Sequence, residues 1–155
     1  MTAQQPAEAP LVIVHGDTPI ARAVRSVGAA LGYRTVAFEG EGTRLEGAAA
    51  VVTATHGGPT EDAVLRAAIA AGVPYIGLVA SRTRGEAVIV DLAVEPADEE
   101  RVHTPAGLDI GARTPEEIAL AILAEMVSTR PRVPGQSRAA RGKNVCDHPR
   151  PSGQE

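Results

Sequence analysis

Along the first 130 residues, short unbroken apolar runs alternate with longer segments whose apolar residues recur every three or four positions. The runs are LVIV (11–14) and AAAVVTAT (48–55), and YRTVAF (33–38) and VPYIGLVA (73–80) read as two further strands. Continuous runs of this length, rich in β-branched residues, fit strands buried on both faces. The periodic segments fit amphipathic helices. In the first, Thr18 is an N-cap, Pro19 takes the first helical position, Ile20, Val24, Val27 and Leu31 form the apolar stripe, and Gly32 is the stop. HGGPTEDAVLRAAIAAG repeats the pattern, with Val64, Leu65, Ala68 and Ile69 facing inward. Ser81 caps a third helix running to about Leu92, although Gly85 weakens it by about 1 kcal/mol relative to alanine. VEPADEE reads as an acidic loop, and RVHTPAG holds a short fifth strand. Thr114-Pro115-Glu116-Glu117 is a capping box, and Ile118, Ile122, Leu123, Met126 and Val127 follow on one face.

Strands alternating with helices predict an α/β fold: a Rossmann-like open, mainly parallel sheet with helices on both faces. The 155 residues suffice for one domain, placed at 11–130. Residues 1–10 form a leader expected to be disordered, and 131–155 a Pro/Gly-rich tail expected to be disordered as well. Charge divides the same way. Residues 1–127 carry 9 Lys/Arg against 17 Asp/Glu, whereas residues 128–155 carry 6 against 2, so the tail is basic. An acidic body with one Phe, two Tyr and no Trp argues against nucleic acid as a partner. No apolar run approaches the length of a membrane span, no signal peptide is evident, and the lone Cys146 suits a reducing compartment. A cytoplasmic location is expected. Cys146 and His148 offer too few ligands for a closed zinc site, so no metal is assigned.

In such a sheet the ligand crevice lies beyond the carboxyl ends of the strands. Four loops meet there: His15-Gly16-Asp17-Thr18, Thr55-His56-Gly57-Gly58, Ala80-Ser81-Arg82 and Gly107-Leu108-Asp109-Ile110-Gly111. Three of them carry glycine and each leads to a helix start, a combination suited to an anionic, phosphate-bearing ligand. The first loop departs from the dinucleotide fingerprint G-x-G-x-x-G/A. Gly16 and Ala21 fit, but Thr18 replaces the second glycine and Asp17 adds a negative charge beside it. Glu39, about 20 residues on, has the position of a ribose-binding carboxylate, or is a solvated loop acid. Arg82 is the phosphate candidate, with a surface ion pair as the plain alternative. Asp109 either accepts from a ligand N–H or bonds its own turn. His56 is a weaker ligand candidate, and His15 and His103 are weaker still. No nucleophile or paired-carboxylate arrangement is evident.

The blocks YIGLVASRTRGEAVIVDL and RVHTPAGLDIGARTPEEIALAILAEMV resemble the C-terminal Rossmann domain of the xanthine dehydrogenase accessory protein family (XdhC/CoxI). There, Y-x-G-L-x-G-S-R and H-x-P-x-G-L-D-I-G-A-x-T-P-E-E-I-A occupy the same relative positions. TATHGG is similar to the family's T-H loop. The resemblance implies a chaperone, not a turnover enzyme: an accessory protein that binds molybdenum cofactor (molybdopterin) and assists its insertion into a molybdenum hydroxylase of the xanthine or carbon monoxide dehydrogenase type. The residues assigned to that cofactor are those of the four strand-end loops: Gly16, Asp17, Thr18, His56, Gly57, Ser81, Arg82, Gly107, Asp109 and Gly111. Where the family has G-A-G-H-V-A and G-S-R, this chain has Gly16-Asp17-Thr18-Pro19-Ile20-Ala21 and Ala80-Ser81-Arg82. The family's N-terminal domain is expected on a separate partner protein, and a homodimer is a further expectation. Two rival readings stand beside this one: an NAD(P)-binding oxidoreductase or dinucleotide sensor, and a ligand-free scaffold that completes an assembly.

Overall fold

A computed structural model describes residues 8–132. Its elements are β1 (Leu11–His15), α1 (Pro19–Ala30), β2 (Arg34–Ala37), β3 (Ala50–Thr53), α2 (Pro59–Ala70), β4 (Tyr75–Leu78), α3 (Arg82–Leu92), α4 (Pro96–Glu99), β5 (Val102–His103) and α5 (Pro115–Ser128). The five strands pair in parallel throughout, in the order β2-β1-β3-β4-β5. The chain runs outward from β1 to β2, then returns past β1 to β3. The strand order therefore reverses between β1 and β3, which is where an open α/β sheet forms its crevice.

Period-two alternation sends neighbouring residues of each strand to opposite faces. Val12, Val14 and Val52 face α1 and α5, where they meet Ala21, Val24, Ile122, Leu123 and Met126. Ile13, Val51, Ile76 and Leu78 face the other layer, with Val64, Leu65 and Leu92 from α2 and α3. Both faces are thus covered, which is why β1, β3 and β4 read as unbroken apolar runs. The expected N-caps Thr18, Ser81 and Thr114 all accept from main-chain N–H groups, and Thr114 and Glu117 complete the capping box.

The structure corrects three expectations. VEPADEE contains the short helix α4, whose Pro96 stands at its first position and whose Asp98 and Glu99 favour a helix start. Leu31 is 55% exposed because it is the C-cap of α1, past the last buried turn. Val127 is 47% exposed on the flank of the buried stripe Ala119, Ile122, Leu123 and Met126. The basic tail with Cys146 and His148, and most of the leader, lie outside the described residues. Among the described residues, no helix is long and apolar enough to cross a membrane.

Gly85, which weakens α3 on propensity alone, has a packing reason. A Cβ there would lie 2.2 Å from Thr104 Oγ1, a buried hydroxyl without a hydrogen-bond partner among the described residues. Gly85→Ala is expected to lower stability by about 2 kcal/mol, against the gain of about 1 kcal/mol that helix propensity alone assigns. Adding Thr104→Ala removes the obstructing hydroxyl and methyl and should recover most of the loss. Urea melts of the two single variants and the double variant test this, and additive effects would refute the contact.

Candidate functional site

β1 ends at His15, and the chain turns at Gly16 with φ +109°. A Cβ at Gly16 would lie 2.4 Å from the Ala54 carbonyl oxygen, so the first loop rests directly on the end of β3. Thr18, where the fingerprint has its second glycine, is anchored at the same place. Its hydroxyl donates to Ala54 O at 2.8 Å and accepts from the Ala21 N–H at 3.1 Å. Asp17 turns the other way. Its side chain is 82% exposed and pairs with Arg22 at 3.5 Å and Arg25 at 3.3 Å. These arginines also donate to the carbonyls of Asp17 and Gly16, holding the loop from outside. The Asp17 charge is therefore spent on α1 and is not directed at the crevice.

Beneath the loops lies a buried polar cluster. His15 Nδ1 and Thr53 Oγ1 are 3.0 Å apart, and the His15 ring meets Phe38 edge-on at 5.5 Å. Burial holds the His15 imidazole below its ordinary pKa, with the Glu61 carboxylate pulling the other way. Glu61 is only 3% exposed although it sits in the first turn of α2. One of its oxygens accepts from the Thr55 hydroxyl and the other from Arg84 Nη1, each at 2.5 Å. Arg84 Nη2 donates to Val79 O at 2.8 Å. The Arg84 guanidinium thus ties the end of β4 to the start of α2.

A cavity of about 560 Å³ opens above this cluster, a normal size for a small-molecule site. Thr18, Thr55, His56, Ser81, Arg84, Arg113, Pro115 and Ile118 are among its lining residues. Three helix starts meet there, those of α1, α3 and α5. Among the described residues Arg113 bonds only through its main-chain N–H, to Glu117, which leaves its guanidinium free.

A family model described as the XdhC Rossmann domain matches residues 12–126. The chain belongs to this family. It is 34% identical over 84 residues to a probable xanthine dehydrogenase subunit of Bacillus subtilis, covering 54% of this chain and 24% of that protein. It is 38% identical over 66 residues to the uncharacterized protein YqeB of Escherichia coli, covering 41% of this chain and 12% of that one. The crystal structure of a xanthine dehydrogenase from Bacillus halodurans superposes with a TM-score of 0.67 at 20% identity, over 84% of this chain and 45% of that chain. The chain therefore spans under a quarter of the length of these two curated relatives, and the structural likeness bears on the fold alone.

Within this XdhC Rossmann domain the residues named from sequence separate into two groups. Thr18, His56 and Ser81 line the cavity. Gly16 supports it from below, and Gly57 borders a neighbouring cavity that also reaches Arg84. Arg82, Asp17, Gly107, Asp109 and Gly111 stand outside the lining. Arg82 is exposed, off the face of α3 that carries Arg84 inward. Gly107 packs on α5, where a Cβ would lie 3.2 Å from Ala121 Cβ, and its N–H donates to Glu125 Oε2 at 2.8 Å. The same oxygen accepts from the Tyr75 hydroxyl at 2.7 Å, and the His103 ring stacks on Tyr75 at 4.6 Å. Burial, reinforced by the Glu125 contact, holds the Tyr75 hydroxyl well above its ordinary pKa. Gly107 thus begins a stiff corner, and Asp109 and Gly111 lie exposed beyond it. The motif they share delivers Arg113 and the α5 start to the cavity. Among the described residues, no group of three or more metal-ligating side chains occurs.

Proposed function

We propose that this chain is an accessory protein in the maturation of molybdenum hydroxylases of the xanthine or carbon monoxide dehydrogenase type, binding molybdenum cofactor at the strand-end cavity for delivery to the client enzyme. The observation that carries this reading is the convergence of three helix starts, the Arg113 guanidinium, unpaired among the described residues, and the Ser81 hydroxyl on one cavity of about 560 Å³, in a chain of the XdhC family. Those donors match the cofactor's phosphate, and the Ser81 hydroxyl suits the polar edge of its pterin. When bound, the group supplies the molybdenum centre on which the client's chemistry depends. The chain's own residues hold and shield it: Arg113 offers positive charge, and Ile118 and Val79 exclude water from the apolar side. The proposed partner is the client hydroxylase.

The test is anaerobic purification from cells that make the cofactor, then acid oxidation and fluorescence assay of the released pterin. Near-stoichiometric pterin is expected in the natural chain and in Arg82→Ala and Asp109→Ala, with a loss of about tenfold or more in Arg113→Ala. Folded protein free of pterin would overturn the carrier reading. Pterin lost in Arg82→Ala but kept in Arg113→Ala would move the site to the face of α3 that looks outward.

A further inference from the structure

Large apolar side chains left in solvent are not spread evenly over the two helix layers. Of the six such residues among those described, only Val90 stands on the α2/α3 layer. Leu31, Leu108, Ile110, Leu120 and Val127 all belong to the end of α1, to α5 or to the loop that leads into α5. Single exposed apolar residues are ordinary, but a cluster of them marks a surface that another molecule covers. On α5 the outward stripe is Leu120, Ala124 and Val127, which fall within about 60° of one another around the helix. Ala119, Ile122, Leu123 and Met126 are turned to the core. The Leu108 N–H donates to Ala121 O at 3.2 Å, which holds the loop against one flank of the stripe. At the far end the Arg130 guanidinium lies 5.4 Å from the centre of the Tyr33 ring and donates to its hydroxyl. That contact sets the end of α1, with Leu31, beside the end of α5.

This face is complementary to itself. Glu116 and Glu117 lie in the first turn of α5, Arg130 and Arg132 follow its last turn, and the stripe between them carries no charge. Turned antiparallel on a second copy, the acidic start of each helix meets the basic end of the other, whereas a parallel pair would set like charges together. One register satisfies every contact. Glu117 with Arg130 and Leu120 with Val127 share a midpoint between Leu123 and Ala124, and Glu116 with Arg132 is centred on Ala124. Ala124, the smallest side chain of the stripe, therefore stands at the crossing, where packed helices come within about 8 Å of each other's axes. We propose that the outer face of α5 is a homodimer interface, in which two copies of this chain pack antiparallel across a twofold axis at Ala124. Because the paired helices run in opposite directions, their starts, and the cavities those starts line, open at opposite ends of the dimer. The pairing goes beyond the cofactor reading and does not depend on it.

Sedimentation velocity of the full chain, from about 1 to about 100 µM, tests the interface. A species of twice the 15.9 kDa chain mass is expected. Leu120→Glu should raise the dissociation constant about a hundredfold or more, because it sets two carboxylates against apolar surface. Val90→Glu, the same kind of change on the α2/α3 layer, should leave the dimer intact. Charge reversal reads the direction of pairing. Glu116→Arg and Arg132→Glu should each weaken the dimer about fivefold, and the two together should restore it, since opposite charges then meet again with their signs exchanged. Glu116, Leu120, Arg132 and Val90 are all exposed in the single chain, so these variants test association and not folding. In a Cys146→Ser background, Ala124→Cys should oxidise to a covalent dimer, because a disulfide requires the two Cα atoms within about 7 Å. A monomer throughout the concentration range, a dimer that Leu120→Glu leaves intact, charge reversals that add instead of cancelling, or no crosslink at Ala124→Cys would each overturn the interface.

Discussion

Gly16→Ala is expected to destabilise the domain by about 3 kcal/mol or more, read as a fall in the urea midpoint with an unchanged slope. Two effects add. At φ +109° a side chain is strained wherever it points. The new Cβ would also stand 2.4 Å from Ala54 O and 3.0 Å from Thr55 Cγ2. The carbonyl cannot swing aside freely, because Ala54 O holds the Thr18 hydroxyl and the Ala54 N–H donates to His15 O at 2.9 Å. Relief therefore has to come from separating the ends of β1 and β3, at the switch point itself. Gly42→Ala is the matched control. Its φ is not in the left-handed region and its Cβ site is open, so a change within about 0.5 kcal/mol is expected. Comparable midpoints for the two variants would show that the close approach at Gly16 is not a constraint.

That contrast also explains which parts of the molecule were legible in the sequence. The layer architecture follows from local pattern: apolar runs make strands, and Thr18, Ser81 and Thr114 sit where helices must begin. The requirement for Gly16 was legible as a turn, but its contact with Ala54 is far apart in the chain and exists only once β1 and β3 are side by side. Side-chain direction at the site was harder to read. Arg82 and Arg84 differ by two residues, about 200° around a helix, and only the packed face of α3 decides which one turns inward. A signal was present on the neighbouring helix. Glu61 stands three residues before Val64 and four before Leu65, so it shares their buried face, and a carboxylate there requires a cation. Asp17 misled for the opposite reason: its neighbours in the loop are all ligand-like, while its partners Arg22 and Arg25 lie one and two turns into α1.

Arg84→Leu is the second large effect expected, a loss of about 3 kcal/mol, because it strands the Glu61 carboxylate. Arg84 is 31% exposed, so water screens the pair from one side and the value lies at the low end for a broken buried ion pair. Most of that loss comes from the uncompensated charge, so it should be recovered when Glu61→Met accompanies it: an apolar pair of similar volume is close to neutral in such a position. The recovery separates two roles that Arg84 combines. It ties α2 to the end of β4 through Glu61 and Val79 O, and it faces the 560 Å³ cavity. If its role is to position the loops, the double variant keeps both stability and its pterin load. If its guanidinium also meets the ligand's anion, stability returns while the pterin load stays about tenfold low, with Arg113 left as the remaining cation of the cavity lining.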